Sequence, residues 1–250
     1  MKTYRRVIFD CDGILLNTEW IWQRSWREAG LNNGSQTFAD LFPKVVGING
    51  RDVDRVLDTY LTDVSAEHIK KMRKDVQTNA SKYMKEELNQ MPFVEDILKQ
   101  LEEDGVIYAA ATATNRSATE ERLRSVGLLD RFSYVLCGDE VIKRKPDPEI
   151  YITICKKMGV EPKDTIVIED TGHGVKAAYA AGCNVIMVPS INPETEEDKA
   201  RVFAVVKNLH EAAVLIHQTF EYAYSNKDRI AVMRRLHVFG ANLRSLIIHA

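Results

Sequence analysis

The chain has 250 residues, 45% of them hydrophobic, and a formal net charge of -2. That is enough for one sizeable core, or a core with a smaller insert. It carries no basic footprint of the kind a nucleic-acid partner reads, and no apolar run reaches the roughly 20 residues of a membrane span. Lys2, Arg5 and Arg6 make a basic start, but the apolar run after them stops at Asp10, so no signal peptide is expected. Cys11, Cys137, Cys155 and Cys183 form no Cys-x-x-Cys pair. They read as small hydrophobes in a reducing, cytoplasmic compartment, without a disulfide framework or a zinc site.

The first predicted strand, Arg6–Phe9, runs into Asp10-Cys11-Asp12-Gly13. Two carboxylates so close repel unless a cation or a proton intervenes, and Gly13 permits a tight turn. Alone, this pattern is no more than an acidic turn after a strand. Residues 16–89 show helical periodicity and no strand pattern. Trp22, Trp26 and Ala29 share one face, Val53, Val56, Leu57 and Tyr60 form another stripe, and Ile69 and Met72 continue it. Core packing explains these stripes. The segment reads as an inserted all-helical cap domain, hinged near residues 15–18 and 86–91.

From residue 90 strands and helices alternate. A helix over Phe93–Glu103 stops at Gly105, and a strand follows over Ile107–Thr112. Ser117-Ala118-Thr119-Glu120 reads as a capping box opening a helix that closes at Gly127. Strand Tyr134–Cys137 precedes a helix with Asp147 as its cap and Pro148 as its first residue, running toward Met158 and Gly159. Strand Thr165–Glu169, a short helix Gly174–Ala181 stopped by Gly182, and strand Asn184–Val188 complete the pattern. Such alternation predicts an α/β fold, a doubly wound parallel sheet built from residues 1–15 and 90–218. Its ligand site is expected outside the carboxyl ends of the strands. Residues 219–250 read as a C-terminal helical extension, basic through Arg229, Arg234, Arg235 and Arg244, and best explained as a solvated face.

A second acidic pair, Glu169-Asp170, ends the apolar run Ile166-Val167-Ile168. With the strand ends side by side, Asp10, Asp12, Glu169 and Asp170 would crowd one cleft. Such a cluster fits a hard divalent cation, magnesium by default. Thr112, followed by Thr114 and Asn115, offers a hydroxyl, and Lys145-Pro146 offers an ammonium. Singly, Thr112 is a structural hydroxyl and Lys145 a surface lysine. Together they supply what phosphoryl transfer needs, namely positioning and charge stabilisation.

Asp10-Cys11-Asp12-Gly13, Thr112, Lys145-Pro146 and Glu169-Asp170-Thr171-Gly172-His173-Gly174 resemble, in order, the four motifs of the haloacid dehalogenase superfamily. The insert resembles the helical cap of the branch holding β-phosphoglucomutase and small sugar-phosphate phosphatases. The resemblance implies a Rossmann-like core and a magnesium-dependent phosphatase of a small phosphorylated metabolite. In it Asp10 is the nucleophile that forms an aspartyl phosphate, and Asp12 is general acid and then base. Thr112 bonds a phosphoryl oxygen, and Lys145 holds the charge in place. Magnesium is held by Asp10, the backbone carbonyl of Asp12, and Asp170, with Glu169 either a ligand or a partner behind the ligands. Gly13, Ala113, Thr114 and Asn115 are the implied substrate contacts, with Arg51 gripping phosphate from the cap. Asp12 favours phosphate esters over halides. Departures are Cys11 at a position where larger apolar residues are common, Asn17 in place of a frequent aspartate, and Gly50, which lengthens the Gly47–Arg51 segment. A β-phosphoglucomutase-like isomerase and a non-catalytic binding module on the same fold are the alternatives.

Overall fold

The computed structural model describes residues 6–48 and 50–225, without the side chains of residues 51 and 220–225. Six strands make one sheet: β1 (Arg6–Phe9), β2 (Ile107–Ala111), β3 (Val135–Leu136), β4 (Thr165–Glu169), β5 (Asn184–Met187) and β6 (Ala204–Val205). Their order is β3-β2-β1-β4-β5-β6, and every pairing is parallel. β1 is central, so its apolar residues are buried on both faces. Val7 and Phe9 join one core cluster and Ile8 the other, as side chains of alternate sense must. Ile8 sits level with Ala109 on one side and Val167 on the other, which brings the carboxyl ends of β1, β2 and β4 into line.

Helix α1 (Thr18–Asn32), α2 (Gln36–Ala39), α3 (Phe42–Val45), α4 (Gly50–Tyr60) and α5 (Ala66–Glu86) follow β1 in the chain, before β2. They have their own apolar cluster, in which Trp26 stacks on Phe38 at 4.8 Å beside Phe42, Leu57, Met72 and Val76. Tyr60, expected in the stripe, is 46% exposed, under Lys44. The buried row is Leu57 and Leu61, one residue away and four apart, as a helix face requires.

Where the chain leaves and re-enters the sheet domain, Asn17 ties the two crossings together. Its backbone N–H donates to Asn89 O, its Nδ2 donates to Glu87 O at 3.2 Å, and its Oδ1 accepts from Asn89 N–H at 2.8 Å. An aspartate could not make the second of these bonds, which accounts for the asparagine.

After the return, α6 (Val94–Glu103), α7 (Arg116–Ser125), α8 (Glu149–Met158), α9 (Gly172–Ala180), α10 (Glu196–Lys199) and α11 (Leu209–Ser225) follow. Ile97, Leu98 and Leu101 of α6 and Leu209, Ala212 and Ile216 of α11 cover one face of the sheet. Ile150, Ile154, Val175 and Ala178, from α8 and α9, cover the other.

Four expected helix starts are corrected: α6 opens at Val94 with Phe93 as its cap, and α9 at Gly172 with Thr171 as its cap. α7 is capped not by the Ser117 box but by Asn115, whose extended backbone lets its side chain accept from Ala118 N–H at 3.0 Å. α8 begins one residue later than expected, with Asp147 Oδ1 accepting from Glu149 N–H at 3.1 Å. β6 is two residues long, too short to show a period. α11 runs through the expected boundary at 218/219 as one helix, and the rest of the expected extension, with Arg229, Arg234, Arg235 and Arg244, lies outside the described residues. Among the described residues no helix is long and apolar enough to cross a membrane.

Trp26 also donates from Nε1 to Phe38 O at 2.6 Å. Trp26→Ala is therefore expected to lower the unfolding free energy by about 3–5 kcal/mol, read by urea denaturation, and a loss below about 1 kcal/mol would contradict this packing.

Candidate active site

The aligned strand ends gather the charges. One oxygen from each of Asp10, Glu169 and Asp170 lies within 4.8 Å of the others, and all three residues are buried. Lys145, on the loop between β3 and α8, reaches in between. Its Nζ donates to Asp10 Oδ1 at 2.5 Å, to Glu169 Oε1 at 2.6 Å and to Ala111 O at 3.3 Å. Glu169 has further donors: Tyr151 OH to Oε1 at 2.5 Å and Asp170 N–H to Oε2 at 3.1 Å. The Tyr151 ring centre is 4.9 Å from the Lys145 ammonium. Space here admits only glycine at two positions. A Cβ on Gly13 would fall 2.2 Å from Asp170 Oδ2, and one on Gly174 would fall 1.9 Å from the Glu169 carboxyl carbon.

Burial penalises ionised carboxyls. It pushes the pKa values of Asp10 and Asp170 well up, and the neighbouring carboxylates add to the effect while Lys145 opposes it. The same burial works against the Lys145 ammonium, but Asp10 and Glu169 outweigh it and hold its pKa above the ordinary lysine value. Ser190 Oγ donates to Asp170 Oδ2 at 2.6 Å. The next two residues touch the helical insert: Ile191 packs against its apolar cluster, and Asn192 Nδ2 donates to Pro43 O at 2.7 Å.

The carboxylate of Asp12 stands apart from the acidic trio. Its Oδ2 accepts from Thr114 Oγ1 at 2.7 Å and Thr112 Oγ1 at 3.1 Å, and its Oδ1 accepts from Arg122 Nη1 at 3.1 Å. Of its atoms, the backbone carbonyl is the one the resemblance implies as a metal ligand. Thr112 and Thr114 thus meet at Asp12. Asn115 Oδ1 accepts from Ala118 N–H as the α7 cap, which leaves its Nδ2 as the donor for the expected substrate contact. Ala113 is exposed, with its carbonyl against Gly138. Arg51 lies in the first turn of α4, and its side chain is outside the described residues.

Sequence reasoning missed Glu19, Arg122, Tyr151 and Ser190. Glu19, on the first turn of α1, is 8% exposed, and among the described residues its Oε2 has no hydrogen-bond partner. Burial first, then the charges of Asp12, Asp10 and Glu169, push its pKa up to about 8, with Arg122 opposing. In sequence it is an ordinary acid at a helix start. Tyr151 and Arg122 sit on amphipathic helices and gain meaning only from contacts more than a dozen residues away.

Asp10, Asp12, Glu19, Glu169 and Asp170 therefore face Lys145 and Arg122. Buried carboxylates in such excess need further positive charge or protons. The all-oxygen donor set, with an orphaned buried oxygen beside it, suits a hard divalent ion.

The fold and site are those of an enzyme of the parallel α/β class whose charged groups gather at the carboxyl ends of the strands. The chain belongs to the haloacid dehalogenase-like hydrolase family, which residues 7–188 match. It is 31% identical over 203 residues to the phosphorylated carbohydrates phosphatase of Thermotoga maritima, spanning 80% of this chain and 93% of that one. Hexitol phosphatase B of Escherichia coli is 26% identical over 213 residues, 83% of this chain and 94% of the relative. Among solved structures, a putative β-phosphoglucomutase from Thermotoga maritima is similar with a TM-score of 0.65 and 28% identity, over 81% of this chain and 94% of that one.

In metal-free protein the native state keeps a proton on Glu19 that the unfolded chain releases near its usual value of 4.5. The resulting stability is full below about pH 4.5, falls as pH rises and is gone above about pH 8. In EDTA, Glu19→Gln is expected to exceed wild type in stability at pH 8 by at least about 1 kcal/mol, with the gap closing toward acid pH. A variant less stable than wild type at pH 8 would contradict this.

Proposed function

We propose that the protein is a magnesium-dependent phosphatase of a small phosphomonoester, a sugar phosphate or similar metabolite, working in the cytoplasm through an aspartyl phosphate on Asp10. The observation that carries this reading is Lys145 bridging Asp10 and Glu169 inside a buried acidic trio. Family membership and the named phosphatases among the relatives support it.

Lys145 engages Asp10 Oδ1, so the second oxygen is the one that attacks phosphorus. When substrate binds, Thr112 turns its hydroxyl from Asp12 Oδ2, where Thr114 still donates, to a phosphoryl oxygen, and Gly13 and the backbone after β2 line the phosphate. As the ester P–O bond breaks, Asp12 gives a proton to the leaving alcohol oxygen. Water then attacks phosphorus, Asp12 takes its proton, and the bond to Asp10 breaks to free inorganic phosphate. Magnesium, held by Asp10, Asp170 and the carbonyl of Asp12, neutralises the phosphoryl charge when bound. Glu169, with both oxygens engaged by protein donors, braces Lys145 instead of ligating the ion. The helices of residues 16–89 serve as a cap that excludes water and selects the substrate, over a core of 1–15 and 90–218.

The likeness to a putative β-phosphoglucomutase favours a second reading, in which the phosphoryl group returns to a sugar instead of water. A panel of phosphorylated metabolites, assayed for phosphate with and without magnesium, tests the first. Release on at least one substrate is expected, dependent on magnesium and reduced at least about 1000-fold by Asp10→Asn. No release on any substrate, or an Asp10→Asn variant as active as wild type, overturns it. Coupled detection of glucose 6-phosphate formed from β-glucose 1-phosphate separates the mutase.

A further inference from the structure

We infer that Arg122 is a positioning residue for Asp12: its guanidinium holds one carboxylate oxygen so that the other is the oxygen presented to the reacting centre. The inference rests on the phosphatase reading above, in which Asp12 hands a proton to the leaving group. A carboxyl group has two equivalent oxygens, and an acid catalyst works only if the proton sits on the one that faces the leaving atom.

Here the two oxygens have unlike surroundings. Oδ1 accepts from Arg122 Nη1 at 3.1 Å, and the side chains of Arg122 and Asp12 are only 17% and 20% exposed. A guanidinium is all donor and permanently charged, so it demands a bare, accepting oxygen. Oδ2 instead faces the hydroxyls of Thr112 and Thr114. Hydroxyls donate or accept, so they tolerate Oδ2 with or without a proton. The pair of contacts therefore breaks the symmetry of Asp12. Oδ1 is fixed as acceptor by the guanidinium, and Oδ2, held only by hydroxyls that can also accept, is the oxygen able to carry and deliver the proton.

The sequence builds this contact from a distance. Arg122 lies in the last turn of α7, where the helix dipole favours a cation. The start of that helix is set by Asn115, one residue after Thr114. The same turn that places the two hydroxyls thus sets the register that carries Arg122 back to Asp12. Among the described residues the other cation at the site, Lys145, is committed to Asp10 and Glu169. Glu19 lies within electrostatic reach of Arg122, and a carboxyl group supplies no permanent cation in its place.

The test compares leaving groups. Wild type, Arg122→Met and Arg122→Lys are assayed on 4-nitrophenyl phosphate, whose phenolate departs without a proton, and on the alkyl phosphate of the metabolite panel that turns over fastest. The readout is kcat/KM, which covers the step in which the leaving group departs. Arg122→Met is expected to lower the alkyl-to-aryl ratio of kcat/KM by about tenfold or more, and Arg122→Lys to restore part of it. Should the methionine variant not fold, Arg122→Gln carries the same comparison. A proportional fall on both substrates marks a merely structural arginine and overturns the inference, as does an unchanged ratio. If wild type hydrolyses neither substrate, the phosphatase reading itself falls and takes the inference with it.

Discussion

Lys145 is held at 2.5 Å from Asp10 and 2.6 Å from Glu169, with all three side chains almost wholly out of water. Neither the lysine nor the acids could be buried alone, because an isolated charge in the interior loses its hydration without compensation. The contact joins β1, the loop before α8 and the end of β4, three segments far apart in the chain. It exists because the register of β1 with β4 sets Phe9 level with Ile168 and so brings the two acidic ends together. Glycines at 13 and 174 leave room for the carboxylates that crowd there. One ammonium does not balance the trio, and burial raises the cost of every uncompensated charge. That imbalance suits the site to a dication and to a phosphoryl group carrying its own charge.

The remainder of the molecule holds this cluster dry and in place. Two apolar layers close the sheet faces, and the helices inserted after β1 carry a third cluster of their own. Ser190, Ile191 and Asn192 connect these parts in three successive residues. The first touches Asp170, the second packs into the helical insert, and the third bonds its backbone. The acidic trio is therefore adjacent, through three successive residues, to the helical insert. Asn17 does the complementary work at the crossings, where an amide with both donor and acceptor joins the outgoing and returning chains.

Much of this was legible in the sequence because β1 and β4 are apolar runs cut off by charges. Both carry their expected bounds, Arg6–Phe9 and Thr165–Glu169. The parallel α/β order and the helical character of the insert followed from periodicity. The structure brings Asp10, Lys145, Glu169 and Asp170 together, as the order of the motifs suggested. What stayed hidden depends on distant contacts. Tyr151 is one more aromatic on an apolar helix face until β4 sets Glu169 against its hydroxyl. Arg122 is one more charge on α7 until Asp12, 110 residues earlier, meets it. Asn115 outcompeted Ser117 as the α7 cap because its backbone is already extended where the loop enters the helix, a local geometry that residue types alone do not reveal. β6, at two residues, has no pattern to read.

The central claim is that the acidic strand ends form a cation site. Isothermal titration of magnesium into the metal-free protein tests it without any assumption about substrate. One saturable site is predicted in wild type, weakened at least about tenfold in Asp170→Asn. Absence of saturable binding, or equal affinity in the variant, would contradict the account.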